Sequence, residues 1–338
     1  MAGLNLSELQ AMTDYYIQQE QPVDVYFTSN VLLFRLLSLG KTYNGGQKIQ
    51  VNLEYDMTHT GSYGPKSELP IAKKEILNAG FFPYAAYYAT LTMDMDDELI
   101  NNGDEAIVNL LRAKLQNAEK SIRKTMAKQI FGRREEMIAD ASDPNAKPFN
   151  GLGDLFGIPR SSTDGSQYDS SEEYGELSED ALDLWKPNIE GNEKEMSFEF
   201  MQELRRKASI DNGNEGKPDL YLTTQKLQDA FERTLQVQAR YSDQKLLDVG
   251  FDNILFKGAP VVDDDILEGA EFGAERVYGL NTGYLDVLTH SKRNFTNPEW
   301  KSPIRQPDTA TANIRWAGNL VCTNRKAHVV ATNVVEPS

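Results

Sequence analysis

The residues best suited to chemistry are three consecutive carboxylates, Asp263, Asp264 and Asp265. Carboxylate oxygens are the ligands that Mg²⁺ and Ca²⁺ prefer, and alternate residues of a strand share one face. Asp263 and Asp265 could therefore converge on a cation. Because no further acid that would complete this site is evident, and no glycine-rich loop for a phosphate, we favour a solvated strand end or turn. A metal-dependent enzyme remains as an alternative.

A second acidic cluster precedes a long predicted helix and consists of Asp94, Asp96, Asp97 and Glu98. Negative charge near the N-terminus of a helix interacts favourably with the helix dipole. We therefore expect a structural role for this cluster.

The remaining bases and nucleophiles form no catalytic pattern. His59, His290 and His328 lie far apart in the sequence, and His328 is expected to be a packed or edge histidine of a strand. The single cysteine, Cys322, excludes an intrachain disulfide and a CxxC zinc site, and we expect it to be a small buried residue. The sequence contains no P-loop, HExxH or GxSxG motif. We predict no enzymatic activity, no metal and no cofactor.

The composition is strongly acidic, with 51 Asp and Glu against 35 Lys and Arg in 338 residues and a net charge of −16. This balance argues against a protein that coats itself with nucleic-acid phosphates. Residues 1–20 have no features of a secretory signal, and no stretch reaches the roughly 20 apolar residues that a membrane span needs. We expect synthesis in the cytoplasm and no membrane partner.

The N-terminal third combines short helices with two alternating stretches. Helices are predicted over residues 4–19 and 30–39, the second capped by Asn30. Apolar residues alternate over 47–57 and again over 84–92, which is typical of strands. A polar tip rich in Gly and Pro lies between them, so we predict one long hairpin that needs another surface to cover it.

The middle of the chain divides into a basic and an acidic part. Residues 98–138 keep a period of 3.6 and predict one long helix, with 8 basic and 5 acidic residues between 104 and 136. Residues 140–195 carry 14 acidic and 4 basic residues, a net charge of −10. We expect this acidic segment to form a surface loop or an inserted lobe.

The C-terminal half alternates strands and helices, which makes the chain α+β. A helix is predicted over 197–212, a strand followed by a helix over 219–239, and a strand, turn and strand over 253–266. A further strand pair is predicted over 277–288, and two alternating strands over 314–335.

Three stretches in this order resemble the major capsid proteins of tailed phages, which have the Hong Kong 97-type fold. They are DLYLTTQKLQDAFERTLQ at 219–236, NILFKGAPVVDDDI at 253–266 and WAGNLVCTNRKAHVVATNVV at 316–335. The resemblance implies five parts. These are an N-terminal arm (1–43), an extended β-hairpin loop (44–93), a peripheral domain (94–200) with a spine helix (98–138) and the acidic insertion (140–195), an axial domain (201–305), and closing strands of the peripheral domain (306–338).

The same resemblance implies a function and partners. Such a subunit assembles as hexamers and pentamers into an icosahedral head that encloses double-stranded DNA without sequence specificity, and its place is the virion. A scaffolding protein, a portal and, in some relatives, a cement or decoration protein would be its partners. The alternatives are an encapsulin-like compartment shell and a tail or baseplate protein.

The expected site residues are contacts between subunits rather than catalytic groups. On the hairpin they are Leu53, Tyr55, Tyr84 and Tyr88, and on the long helix they are Arg112, Arg123 and Lys124. We expect charge reversal at Arg123 to impair assembly without unfolding the subunit. We also expect no covalent crosslink between subunits and no proteolytic removal of an N-terminal segment.

Overall fold

The computed structural model describes most of the chain. The described residues are 30–54, 58–65, 68–69, 71–72, 75–94, 104–141, 143, 145–163, 168, 173–178, 185–208, 216–235, 253–269, 275–296, 299–302 and 309–337, without the side chains of 104–113, 253 and 296. The helix predicted over 4–19 lies outside these ranges. Among the described helices, none is long and apolar enough to span a bilayer.

The helices are α1 (Val31–Ser38), α2 (Asp104–Ile130), α3 (Arg134–Asp140), α4 (Leu152–Phe156), α5 (Phe198–Lys207) and α6 (Gln225–Thr234). The strands of the N-terminal half are β1 (Lys41–Tyr43), β2 (Ile49–Glu54), β3 (Leu77–Phe82), β4 (Ala85–Asp94), β5 (Asn188–Glu190) and β6 (Lys194–Glu195). Those of the C-terminal half are β7 (Leu220–Thr223), β8 (Asn253–Phe256), β9 (Ala259–Asp263), β10 (Arg276–Leu280), β11 (Leu285–Thr296), β12 (Thr309–Cys322), β13 (Val329–Thr332) and β14 (Val334–Val335).

Two larger sheets organise the described fold. A four-stranded sheet has the order β1-β11-β12-β4, and a six-stranded sheet has the order β5-β13-β10-β7-β9-β8. Helix α2 contributes Leu115, Ile122 and Met126 to the hydrophobic cluster that includes the inner face of the four-stranded sheet. Helices α5 and α6 pack with strands of the six-stranded sheet in a second cluster. The α+β class predicted from the sequence is confirmed.

The hairpin differs from its prediction in the identity of its second strand. Strand β2 pairs with β3, from Ile49 opposite Phe82 to Glu54 opposite Leu77. The second alternating stretch forms β4 instead, which pairs along ten residues with β12, from Asp94 opposite Thr309 to Ala85 opposite Gly318. Alternation predicts a strand but not its partner, and β4 buries its apolar residues in the core of the four-stranded sheet.

The predicted single long helix is two helices, because the chain breaks after Ile130. Gly132 and Gly151 lie so close that a Cβ on Gly151 would be 2.1 Å from the carbonyl oxygen of Gly132. The carboxylate of Asp154 accepts hydrogen bonds from the backbone N–H groups of Arg134 and Gly151. It thereby satisfies a free donor at the start of α3. The break is set by a contact with a later segment.

The acidic segment is only in part a surface loop. Its apolar residues around α4 are at most 3% exposed, namely Phe149, Leu152, Leu155, Phe156 and Ile158. The guanidinium of Arg276 donates to three of its carbonyl oxygens, those of Pro159, Arg160 and Ser162, at 2.7–2.9 Å. The prediction of a surface loop was based on the net charge of the segment. Its short apolar stretches, however, decide where the segment packs.

The strands predicted as a pair over 277–288 belong to different sheets. Strand β10 lies in the six-stranded sheet and β11 in the four-stranded sheet, so the chain crosses between them at 281–284. Strand β13, near the C-terminus, returns to the six-stranded sheet. Each of the two larger sheets therefore contains strands from both sides of residue 305.

Replacing Phe156 with Ala tests the burial of the acidic segment. Phe156 is 1% exposed and its ring lies 5.9 Å from that of Tyr278. We expect the free energy of unfolding to fall by about 3–5 kcal/mol, the usual cost of truncating a buried Phe. Chemical denaturation measures this, with Leu69→Ala, at a residue that is 62% exposed, as the control. A loss below about 1 kcal/mol for Phe156→Ala would contradict the packing.

Candidate inter-subunit contact surfaces

The hairpin formed by β2 and β3, with the residues between them, projects apolar side chains into solvent. We call residues 49–82 the hairpin arm. At its base Ile49, Leu53 and Phe82 are buried. Farther along, the exposed fractions are 73% for Tyr63, 62% for Leu69, 99% for Ile71 and 67% for Leu77. Several large apolar side chains exposed on one segment are typical of an interaction surface.

A short turn holds the base of the arm. Tyr174 and Leu177 form an isolated β-bridge, and we call residues 174–177 the base turn. The backbone N–H of Phe81 donates to the carbonyl oxygen of Gly175 at 2.9 Å. Gly175 has φ +66°, and a Cβ there would lie 2.7 Å from the ring of Phe82. A side chain at this position would therefore press on the arm.

The base turn itself contacts the core of the subunit. The indole N–H of Trp185 donates to the carbonyl oxygen of Tyr174 at 3.0 Å. The guanidinium of Arg325 lies over the Tyr174 ring at 5.2 Å, and its Nε donates to the carbonyl oxygen of Leu155 at 2.7 Å. Lys48, just before β2, pairs with Glu176 of the turn. The direction in which the arm leaves the subunit is thus set by residues far along the chain.

Of the two predicted contact residues of α2 whose side chains are described, one is on the surface. Lys124 is exposed, whereas Arg123 is only 5% exposed. Burial lowers the pKa of the Arg123 guanidinium to about 9, and Glu119 opposes that shift. Arg112 lies in the helix, but its side chain is outside the described part. Because a carboxylate at this position would be buried, we now expect charge reversal at Arg123 to destabilise the subunit itself as well as its assembly.

A groove of about 540 Å³ runs between the free edge of β4 and helix α2. Strand β4 is the last strand of its sheet in the described fold, so one of its edges has no neighbouring strand. The Lys114 ammonium crosses this groove to the carbonyl oxygen of Thr92 at 2.8 Å. Tyr88, on the rim, is 75% exposed.

The residues predicted on the hairpin have different environments. Leu53 is 6% exposed in the subunit's own core, which leaves little of it for a neighbouring chain. Tyr84 precedes β4 and is half-buried, its hydroxyl donating to the carbonyl oxygen of Gly45 at 2.8 Å. Tyr88 lies on β4, outside the arm, and Tyr55 is outside the described residues. The alternating sequence pattern does not distinguish exposed from buried residues among these positions; the fold of the chain does.

The three consecutive carboxylates do not point to one place. Asp264 is 5% exposed, while Asp265 is exposed and Asp263 is intermediate. The side-chain amide of Asn30 donates to Asp264 Oδ2 at 2.5 Å, and the backbone N–H of Ile266 donates to Oδ1 at 3.1 Å. Within the described residues, no three His, Cys, Asp or Glu side chains are placed to hold a metal. Asp263 ends β9, and Asp264, which follows it, anchors the start of α1 through Asn30.

Burial raises the pKa of the Asp264 carboxyl to about 7, and the charges of Asp265 and Asp263 add to the shift. Hydrogen bonds from Ile266 and Asn30 oppose it. Asn30 also caps α1, since its Oδ1 accepts from the N–H of Leu33 at 2.8 Å, as predicted. One asparagine therefore links the start of the described chain to the end of β9.

The cysteine and the third histidine are packed residues, which confirms both predictions. Cys322 is fully buried, and burial raises the pKa of its thiol to about 12. His328 is also fully buried and accepts a hydrogen bond at Nδ1 from the N–H of Asn281 at 3.1 Å. Burial, with the nearby charge of Arg325, lowers the pKa of His328 to about 3.

Comparisons with known proteins bear on the fold. No protein-family model and no curated protein sequence matches the chain. Among solved structures, the chain is similar to the capsid asymmetric unit of cyanophage A-1(L), with a TM-score of 0.68 and 14% identity over 92% of this chain and 94% of that one.

Two further structures support the same fold. The chain is similar to the holo-SrpI encapsulin of Synechococcus elongatus PCC 7942, with a TM-score of 0.56 and 12% identity over 90% of this chain and 89% of that one. It is also similar to the capsid of a native GTA particle, with a TM-score of 0.54 and 8% identity over 89% of this chain and 90% of that one. The chain therefore has the α+β Hong Kong 97-type capsid fold expected from its sequence.

Replacing Asp264 with Asn should change how stability depends on pH. A carboxyl whose pKa is raised from 3.8 to about 7 holds its proton more tightly in the folded chain. The folded state therefore gains stability from this group as pH falls from about 7 to about 4, by at most about 1.4 kcal/mol per pH unit. The amide introduced by Asp264→Asn cannot titrate, so the stability of wild type relative to this variant should rise between pH 8 and pH 5.

Urea denaturation at the two pH values measures that difference for each variant. The control is Asp229→Asn, which makes the same change at an exposed position of α6. A stability difference between wild type and Asp264→Asn that is equal at pH 5 and pH 8 would refute the raised pKa.

Replacing Gly175 with Ala should loosen the base of the arm. A side chain at a positive φ costs about 1–3 kcal/mol, and here it also meets Phe82. Gly258→Ala is the matched control, since Gly258 has φ +86° and nothing within 4 Å of an added Cβ. We expect both variants to be less stable, but only Gly175→Ala to speed hydrogen exchange at the Phe81 amide. Equal exchange at this amide in the two variants would show that the base turn does not hold the arm.

Proposed function

We propose that this chain is the major capsid protein of a tailed bacteriophage, which assembles as hexamers and pentamers into an icosahedral head around double-stranded DNA. The observation that supports this most is the match to the cyanophage capsid subunit, which extends over more than nine-tenths of both chains. A non-enzymatic, structural role agrees with the buried hydrogen bond from Asn30 to Asp264, which makes the carboxylate run part of the framework of the fold.

The hairpin arm supplies a physical reason for assembly. The side chains of Ile71 and Leu69 are exposed to water. Burying either of them against another chain would stabilise the contact by about 1.5–3 kcal/mol. The groove beside β4 offers a free strand edge and a helix surface on the same subunit. We propose that the arm of one copy lies over this groove of the next copy. Many such contacts around closed rings add up to a stable shell.

The proposed partners follow from the same role. A shell of this kind requires a scaffolding protein and a portal, and a cement protein is a further proposed partner. The net charge of −16 suits a container whose DNA must be released, since its subunits do not hold phosphates strongly overall. The proposed location is the virion.

A compartment shell is the second candidate, because the chain also matches the encapsulin from Synechococcus elongatus. The two functions differ in what the shell encloses. A phage head would contain nucleic acid, whereas a compartment of the encapsulin kind would contain protein.

Negative-stain electron microscopy of the purified chain, alone and with a scaffolding partner, tests the proposal. Uniform closed shells are the expected result, and their ultraviolet spectrum and gel analysis would separate nucleic-acid cargo from protein cargo. Monomers under both conditions would contradict the capsid function.

The variant Ile71→Asp tests the arm in the same assay. Ile71 is 99% exposed, so the variant should fold normally. Placing a carboxylate in the proposed contact should lower shell yield at least about tenfold, the factor that corresponds to 1.4 kcal/mol. Ile71→Leu is the control and should assemble as wild type does. Normal shells from Ile71→Asp would show that the arm's exposed end is not a contact.

A further inference from the structure

A second surface, distinct from the arm, lies on the outer face of the four-stranded sheet. Along β12 the even-numbered residues from Ala310 to Trp316 are buried, and Asn313 and Arg315 between them are exposed. Arg315 lies opposite Tyr88 of β4, and Asn313 lies opposite Thr90. The sheet therefore presents a row of polar and aromatic side chains away from the core.

Cationic side chains collect at one end of this face. A concavity of about 340 Å³ is lined by Lys292, Arg293, Glu299, Lys301, Thr311, Asn313 and Arg315. Lys301 is held there by two backbone hydrogen bonds with Thr311, both 2.8 Å. We call Lys292, Arg293, Lys301 and Arg315 the cationic sheet patch.

The patch has little internal charge compensation. The carboxylate of Glu299 lies 3.8 Å from the Lys301 ammonium, and both side chains are largely exposed. Among the described residues, no ion pair joins Lys292, Arg293 or Arg315 to a carboxylate. The residues that line the concavity include four bases and one acid, which gives a charge of +3. Because the whole chain has a net charge of −16, the rest of the chain carries −19.

An aromatic anchor adjoins the charges. A second concavity, of about 450 Å³, continues along the sheet and is lined by Tyr88, Trp316, Arg293 and Arg315 among others. Tyrosine and arginine side chains are both enriched at interfaces between proteins. Tyr88 is 75% exposed and lies between this face and the groove beside α2.

We propose that the cationic sheet patch, with Tyr88 as its apolar anchor, binds an acidic surface of a second copy of this chain. Charge complementarity selects this partner, because the rest of a second copy, outside the lining of this concavity, has a net charge of −19. The two surfaces in contact are unlike, so the contact is heterologous and can close into a ring or shell. The inference rests on the proposed function, since it needs the chain to assemble with itself.

Charge reversal at Arg315 tests the patch on the full chain. Arg206 on α5 is also exposed, so Arg206→Glu is a control with the same change in net charge. We expect Arg315→Glu to raise the concentration at which shells form by about tenfold, and Arg206→Glu to leave it within about threefold. Circular dichroism and thermal unfolding of both variants should match wild type, because both positions lie on the surface.

Salt and crosslinking give two independent measurements. Screening by 0.5 M NaCl should raise the assembly concentration of wild type more than that of Arg315→Glu. In mixed isotope-labelled particles, a carbodiimide should join Lys292 or Lys301 to a carboxylate of a different copy. Crosslinks confined to one copy, or normal assembly of Arg315→Glu, would overturn the inference.

The outcomes separate this inference from the capsid function. If wild type forms no shells under any condition, the proposed function fails. If wild type and Arg315→Glu assemble equally but the variant shells retain less nucleic acid, the patch contacts nucleic acid, and the inference alone fails.

Discussion

The pairing of β12 with β4 and β11 is the constraint on which the other surfaces depend. It places strand β4, from the N-terminal half, beside strands from the C-terminal half, in register over ten residues on one side. Once this register is set, the inner residues of β4 and β12 are buried in the main cluster together with α2. On the outer face the same register places Arg315 of the cationic sheet patch opposite Tyr88. A shift of one residue would exchange the two faces, so burial of one face defines the other.

Strand β4 pairs with β12 along one edge only, and in the described fold its other edge has no neighbouring strand. Strand β3 ends at Phe82 and β4 begins at Ala85, so the arm leaves the sheet by a connection of two residues. The base turn and Arg325 hold the arm from the other side. A rigid base with an apolar outer part suits a contact that must reach a neighbour at a fixed angle, because little conformational entropy is lost when it binds.

Buried polar groups connect the parts of the subunit. Arg276 binds carbonyl oxygens of the acidic segment, Arg325 binds that of Leu155, and Asp264 binds Asn30. The two arginines satisfy backbone carbonyl oxygens, and the Asn30 amide satisfies a buried carboxylate, that would otherwise be without a partner. They also join segments that are more than 100 residues apart, which makes the two sheets and the acidic segment one unit.

By itself the sequence determined most of the local elements, because caps and periodicity depend on residues a few positions apart. Asn30 caps α1, β8 and β9 flank a turn, and Cys322 and His328 are buried, all as their immediate neighbours indicate. Only the tertiary structure decided that β2 pairs with β3, that α2 ends at Ile130 and that Arg123 and Asp264 face inward. These features depend on partners distant in sequence, such as Gly151 for the helix break and Asn30, 234 residues away, for Asp264. Alternation and net charge carry no information about such partners, because packing of the folded chain selects them.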